Sequence, residues 1–252
     1  MLDTDAPNQG VLNRRIAAAV GALSRAAWFI EDEVRAIAEL VPTGGTCIDV
    51  GAGYGLYTMA MAAAVGPHGT VHAIEPQPDP NRVIDAVVRV CGARGRVIRH
   101  DVALSDQTGM SMLSVPVRRG RAVHGRAFVM RNARHAGPNS VDFRTARHQP
   151  VRLSTLDELA VGHDLTRLDM LKADVEGAEL QVLAGGASTI ERFQPMVQLE
   201  IEQRHLEKFG STVHDVTGFL LNRGYAMHGW ARGGWRPLRS ASSTLRNYLF
   251  VP

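Results

Sequence analysis

Cysteine is nearly missing from this chain: Cys47 and Cys91 are the only two in 252 residues. Cys47 lies in an apolar run and Cys91 in a helix-like segment, so both read as small buried hydrophobes, and a disulfide framework is not supported. A strong excess of one charge is missing too. The formal net charge is only +3, too mild an imbalance to point by itself to nucleic acid. The opening MLDTDAPNQG lacks the cationic-then-apolar pattern of a secretory signal. No uninterrupted apolar stretch is long enough to span a bilayer. These absences lead to the expectation of a cytoplasmic protein with no membrane insertion. Internal repeats and low-complexity tracts are also lacking. The 45% hydrophobic and 21% charged residues suffice for an ordinary globular core. The length suits one α/β domain, 1–252, with decorations better than two full domains.

The patterning is that of alternating strands and helices. From Val11 to Val41 apolar residues recur at helical spacing, from Ile16 through Val20, Leu23 and Ala27 to Ile37, until Pro42 and Gly44-Gly45 end the run. This predicts an N-terminal helical lead-in over 1–45. Strands are then predicted over Thr46–Val50, Thr70–Ile74, Val97–Arg99, Leu168–Ala173 and Met196–Ile201, with helices between them. The chain closes with a predicted hairpin of Tyr225–Trp230 and Asn247–Val251. Such alternation implies a mostly parallel sheet covered on both faces, and the hairpin adds one antiparallel edge strand.

Between Met110 and Pro150 the rhythm breaks. This stretch carries Arg118, Arg119, Arg121, Arg126, Arg131, Arg134, Arg144 and Arg147, with His124, His135 and His148, against a single acid, Asp142. It reads as an insertion in the sheet, a long loop that is either functional or a solvated segment. Its guanidinium groups suit phosphate, carboxylate or sugar hydroxyls. It is too poor in aromatics for the stacking platforms of single-stranded nucleic-acid binders.

The sharpest local signal is Cys47-Ile-Asp-Val-Gly-Ala-Gly-Tyr-Gly55 before a helix. Glycines at the end of a first strand let the backbone approach a ligand and leave helix N-terminal amides free to donate. Glu75 stands at the end of the second strand, where a carboxylate can accept both hydroxyls of a ribose. An adenosine-bearing ligand at the carboxyl edge of the sheet is therefore expected. Leu56 stands where a dinucleotide fingerprint needs its third glycine. Asp49 would repel a pyrophosphate but tolerates an ammonium or sulfonium. The plainer alternative is a tight strand-to-helix turn and nothing more. Beyond the third strand, Asp101 and the backbone of Val102 offer partners for an adenine, or Asp101 is simply a turn residue. The cofactor-binding set is thus Asp49, Gly51, Gly53, Tyr54, Glu75, Asp101 and Val102.

Taken with Gly55-Leu-Tyr-Thr58, Ile74-Glu-Pro76, Val102-Ala-Leu-Ser105, Ser154-Thr-Leu-Asp157 and above all Leu171-Lys-Ala-Asp-Val-Glu-Gly-Ala-Glu179, the chain resembles the FkbM family of methyltransferases from about Thr46 to about Gly229. The resemblance implies a class I, Rossmann-like, seven-stranded sheet, S-adenosylmethionine as donor, and O-methylation of sugars or polyketide-type natural products. Two departures stand out. The arginine-rich insertion is longer than the family's, and Glu200-Ile-Glu202 replaces a glutamate followed by histidine, which leaves the base open.

Methyl transfer from a sulfonium needs alignment of the acceptor oxygen and removal of its proton. Strand parity brings Asp174 out on the ligand-binding rim, and Glu200 lies at the matching end of the next strand. Together they could bind one Mg²⁺, or Lys172 could neutralise them as a buried pair. Asp174, Glu200 and His205 are the candidate catalytic residues. Glu176 and Glu179 read equally well as acids favoured at a helix N-terminus. The expected function is O-methylation of a hydroxyl on a carbohydrate or related small molecule, with insertion 110–150 as an acceptor lid. An RNA methyltransferase and a non-catalytic cofactor-binding module are the alternatives. A homodimer is the expected assembly, and nucleic acid is not an expected partner.

Overall fold

The computed structural model describes residues 33–134, 143, 145–231, 233–242 and 244–252. Of the expected lead-in, only helix α1 (Glu33–Leu40) falls within them; the remainder of that expectation lies outside the described residues. Val34, Ile37 and Val41 pack against Cys47, Tyr57, Met61, Val65 and Val71. The apolar stripe in the sequence is what docks α1 on the sheet.

The central sheet follows the predicted alternation. Strand β1 (Thr46–Val50) leads to helix α2 (Leu56–Ala64), β2 (Thr70–Ile74), α3 (Pro78–Val90) and β3 (Val97–His100). After an excursion come α4 (Leu156–Gly162), β9 (Met170–Ala173), α5 (Glu179–Ala184), α6 (Ala187–Phe193), β10 (Met196–Glu200), α7 (Gln203–Leu206) and α8 (Val213–Leu221). The chain ends with β11 (Ala226–Ala231), β12 (Gly234–Pro237) and β13 (Asn247–Val251). The strand order is β12-β11-β13-β10-β9-β1-β2-β3. β1, β2, β3, β9 and β10 run parallel, and burial on both faces explains why β1, β2, β9 and β10 are mostly apolar, while the outer β3 is only partly covered.

Seven of these strands match the expected sheet, and Gly234–Pro237 adds an eighth as a hairpin partner of β11. That edge strand is antiparallel to β11, whereas β13, the predicted second arm of the closing hairpin, inserts between β10 and β11 and pairs antiparallel with both. Caps set the helix starts locally. Thr155 accepts from the amide of Glu158 at 3.0 Å to open α4, and Thr212 with Asp215 forms a reciprocal capping box for α8.

The described part of the insertion is not a loop. β5 (Gly109–Arg118) and β8 (Thr145–Ser154) form a long antiparallel ribbon, in register from Gly109 opposite Leu153 to Val117 opposite Thr145. β4 (Ala103–Leu104), β6 (Arg121–Ala122) and β7 (Phe128–Val129) complete a second, five-stranded sheet. Leu113, Val115, Val129, Val151 and Leu153 give it a small core of its own. Most of the segment's arginines lie between β5 and β8, and within the strands buried apolar residues such as Leu113, Val115, Val151 and Leu153 sit among polar ones, so the charge-rich composition hid the strands. Among the described residues no helix is long and apolar enough to cross a membrane.

Candidate functional site

Successive strands leave β1 in opposite directions: β2 and β3 to one side, β9 and β10 to the other. At that switch the carboxyl ends of β1 and β9 diverge into a crevice, where ligands of open α/β sheets bind. A cavity of about 600 Å³ opens there, well within the size of small-molecule sites. Its floor is the glycine loop with Asp49, Glu75 and Gln77, one wall is Lys172, Asp174 and Glu176, and the ribbon supplies Leu113, His124 and Phe128.

The loop is glycine for a steric reason. Gly51 sits at φ +75°, and a Cβ there would lie 2.0 Å from the carbonyl oxygen of Asp174. Only a residue without a side chain lets β1 and β9 meet so closely. The amides of Gly51 and Ala52 both donate to the Ile74 carbonyl at 3.0 Å, which ties the loop to the end of β2.

Two acids on the floor have unused acceptor capacity. Asp49 is fully buried. One of its oxygens accepts from the Thr58 hydroxyl at 2.6 Å, and the other has no hydrogen-bond partner among the described residues. Burial raises its carboxyl above the usual range, against the pull of Lys172. Glu75 accepts from the amide of Gly53 on one oxygen and of Gln77 on the other, each at 2.9 Å. Burial still pushes it up to about 7. The Gln77 side chain also bonds this carboxylate, whose remaining acceptor capacity is open to a ligand hydroxyl. An orphaned carboxylate oxygen and a second, half-satisfied carboxylate fit the ammonium and ribose of S-adenosylmethionine.

Tyr54 lines the cavity and stands edge-on to His124, ring centroids 6.2 Å apart. Asp101 and Val102 do not line it. Asp101 bonds Asn81 at 2.6 Å and also Arg99, and Val102 belongs to the central core. Ala103 and Leu104 take the wall position instead. Pairing of β4 with β8 turns the chain there and moves the wall two residues on.

On the opposite wall Asp174 and Glu200 share a hydrogen bond. Burial, then the Asp174 charge and this bond, push Glu200 up to about 10, so it carries the shared proton. Burial opposes ionisation of Asp174, but Lys172, the Glu200 bond and Arg126 together hold it below the usual carboxylate range. The Lys172 ammonium lies 3.4 Å from Asp174 and 4.2 Å from the centre of the Tyr57 ring. Two carboxylates that share a proton and face an ammonium are a poor donor set for Mg²⁺, which asks for several anionic or neutral oxygens. Glu200 does not reach the cavity.

His205 does not reach it either. Its Nδ1 lies 3.2 Å from Glu176, and burial holds the ring down to about 4, hence neutral at pH 7. Glu176 is the residue at the wall. It sits at φ +56° and also meets Arg126 from the ribbon at 3.1 Å. Glu179 accepts from the amides of Val175 and Gly177 at 3.2 and 3.1 Å and so braces the turn that presents Asp174 and Glu176. His124 and Gln77 are site residues that sequence reasoning did not single out; Gln77 Oε1 and His124 Nδ1 are 2.7 Å apart. Arg126, Gln77 and His124 pin the ribbon over the cavity. Their sequence signal was the cationic insertion facing acids of the core. Arg131 instead meets Asp106 and Gln107 outside the cavity; Arg144, His135 and Asp142 lie outside the described residues.

The fold and sequence have known counterparts. The crystal structure of Methyltransferase FkbM from Methylobacillus flagellatus KT superposes with a TM-score of 0.51 at 15% identity, over 98% of this chain and 58% of that one, which shows a shared fold. Methyltransferase sdnD of Sordaria araneosa is 29% identical over 160 residues, 58% of this chain and 61% of that protein. This chain thus spans about three-fifths of the length of each. The Methyltransferase FkbM domain matches residues 49–227, from the buried acid of the glycine loop to the start of the closing hairpin. The chain belongs to the FkbM methyltransferase family.

Proposed function

We propose that this protein is an S-adenosylmethionine-dependent O-methyltransferase whose acceptor is a hydroxyl of a carbohydrate or related natural product. The observation that carries the reading is the pairing, in one cavity, of two under-satisfied acids at the glycine loop with an ionised Asp174 across from them. S-adenosylmethionine supplies an electrophilic methyl group on a sulfonium. Asp49 faces its ammonium, and Glu75 accepts from its ribose hydroxyls. Asp174 takes the acceptor's proton as the oxygen–carbon bond forms and the carbon–sulfur bond breaks. Glu200 keeps its own proton and hydrogen-bonds Asp174, and Lys172 fixes the charge of the pair. His205 acts behind Glu176 as a positioning group. The ribbon of β5 and β8, with the segment that carries Arg126 and His124, serves as a roof over the acceptor and shields the methyl from water. A cytoplasmic setting belongs to this reading, because both cysteines are free, as thiols are in a reducing compartment.

The test is calorimetry with S-adenosylhomocysteine and with NAD, followed by turnover on a panel of sugar acceptors. Binding of S-adenosylhomocysteine with methylated sugar as product is expected. Binding of NAD in its place sinks the proposal, and cofactor binding without turnover on any hydroxyl acceptor reduces the chain to a binding module.

A further inference from the structure

Away from the cavity, three histidines converge. His72 lies mid-strand in β2, sharing its face with Ile74, which packs on Leu156 and Leu159 of α4. His100 ends β3, and His163 follows the last turn of α4, its amide bonded to the Leu159 carbonyl at 3.1 Å. Asp164, at φ +48°, turns the chain directly after it. His72 Nδ1 is 3.0 Å from His100 Nε2. The His163 ring stands edge-on to both, with centroids 5.1 and 4.7 Å away. One nitrogen from each ring falls within 4.8 Å of the others.

We propose that His72, His100 and His163 bind one Zn²⁺, or a divalent transition metal of similar softness, with a water in the fourth position. Around tetrahedral zinc, with Zn–N bonds of about 2.0–2.1 Å, ligand nitrogens stand about 3.3–3.4 Å apart. The His72–His100 pair opens by a few tenths of an ångström to reach that spacing. His163, the exposed member, swings in by at most about 1.5 Å to meet the same geometry. Three imidazoles with no carboxylate select a borderline transition metal over Mg²⁺ or Ca²⁺. Burial first, then the neighbouring rings, hold His72 and His100 down to about 4, so each has a lone pair to offer at neutral pH. Arg99 and Asp101 are the other charged groups acting on His100. His163 leaves room for water at the open position. The metal would clip β2 and β3 to the turn after α4. It would sit one peptide behind the ribose carboxylate, since the Glu75 amide donates to the His100 carbonyl at 3.1 Å.

The experiment uses the untagged full chain, stripped with EDTA and titrated with Zn²⁺ in a calorimeter. One tight equivalent is expected. His163→Ala, a change at an exposed position, should weaken it by more than the roughly 10–100-fold that loss of a mere outer-shell partner costs. His68→Ala, at an exposed histidine elsewhere, should leave it intact. S-adenosylhomocysteine binding by His163→Ala should match wild type, which separates this site from the proposed methyl-transfer site. Co²⁺ gives a second readout on the wild type: visible absorption bands that disappear in His163→Ala and in His72→Gln. Absence of a tight equivalent in the wild type, or unchanged zinc binding or cobalt bands in His163→Ala, overturns the proposal.

Discussion

Glu75→Ala tests the cofactor assignment most directly. In the free protein the side chain accepts from two backbone amides, Gly53 and Gln77, and from the Gln77 side chain, and it lines the cavity. Each charge-assisted bond to a ribose hydroxyl contributes about 1.5–3 kcal/mol. Losing both amounts to about 3–6 kcal/mol, or roughly 10²–10⁴ in dissociation constant. The two amides left without an acceptor add about 1–3 kcal/mol each, which appears as a lower Tm unless water replaces the carboxylate. Glu75→Gln separates these effects, because its amide group keeps one acceptor and sets a donor against the other backbone N–H. Its loss in affinity should fall between wild type and alanine. Protonation supplies a second arm. Burial raises Glu75 to about 7, and the hydroxyls bind the ionised form. Affinity for S-adenosylhomocysteine is therefore full above that pH and weakens about tenfold per unit below it, whereas Glu75→Gln should show no such dependence on this group. Isothermal calorimetry across pH 5.5 to 8.5 reads both arms. An unchanged dissociation constant in the alanine variant, or a wild-type affinity that does not weaken below about pH 7, refutes the ribose role.

Asp174→Asn should lower kcat by roughly 10²–10⁴ with cofactor affinity nearly unchanged, measured by turnover and calorimetry; wild-type turnover would make Asp174 structural. EDTA should leave methyl transfer intact, since Lys172 already neutralises the Asp174–Glu200 pair; loss of activity restored by Mg²⁺ would overturn that account. Gly51→Ala should abolish detectable cofactor binding, because its Cβ meets the Asp174 carbonyl at 2.0 Å and its φ is +75°, and a binding-competent variant would contradict the packing described. Arg126→Ala should raise the acceptor KM more than it changes cofactor affinity, because it unpins the ribbon from Glu176; a change in cofactor affinity alone would remove the ribbon from acceptor recognition.

The sequence by itself determined the central sheet and the glycine-loop floor of the cavity. Thr46–Val50 and Thr70–Ile74 are strands with the bounds their apolar runs predict. The glycines and Glu75 follow from local rules: a close approach demands glycine, and a strand's last residue faces the crevice. Parity likewise brought Asp174 to the rim. Tertiary structure decided the rest, because those features depend on partners far apart in sequence. A composition heavy in arginine reads as a loop until β5 finds β8 about one ribbon length away. The cavity wall beyond β3 is lined by Ala103 rather than Asp101 because β4 pairs with that same ribbon. His205 looked like a base from its place after β10, yet the fold inserts Glu176 between it and the cavity. Which of two neighbouring carboxyls keeps a proton is a matter of burial and of the Lys172 charge. The meeting of His72, His100 and His163 comes from strand register and a helix end, and no spacing along the chain announces it.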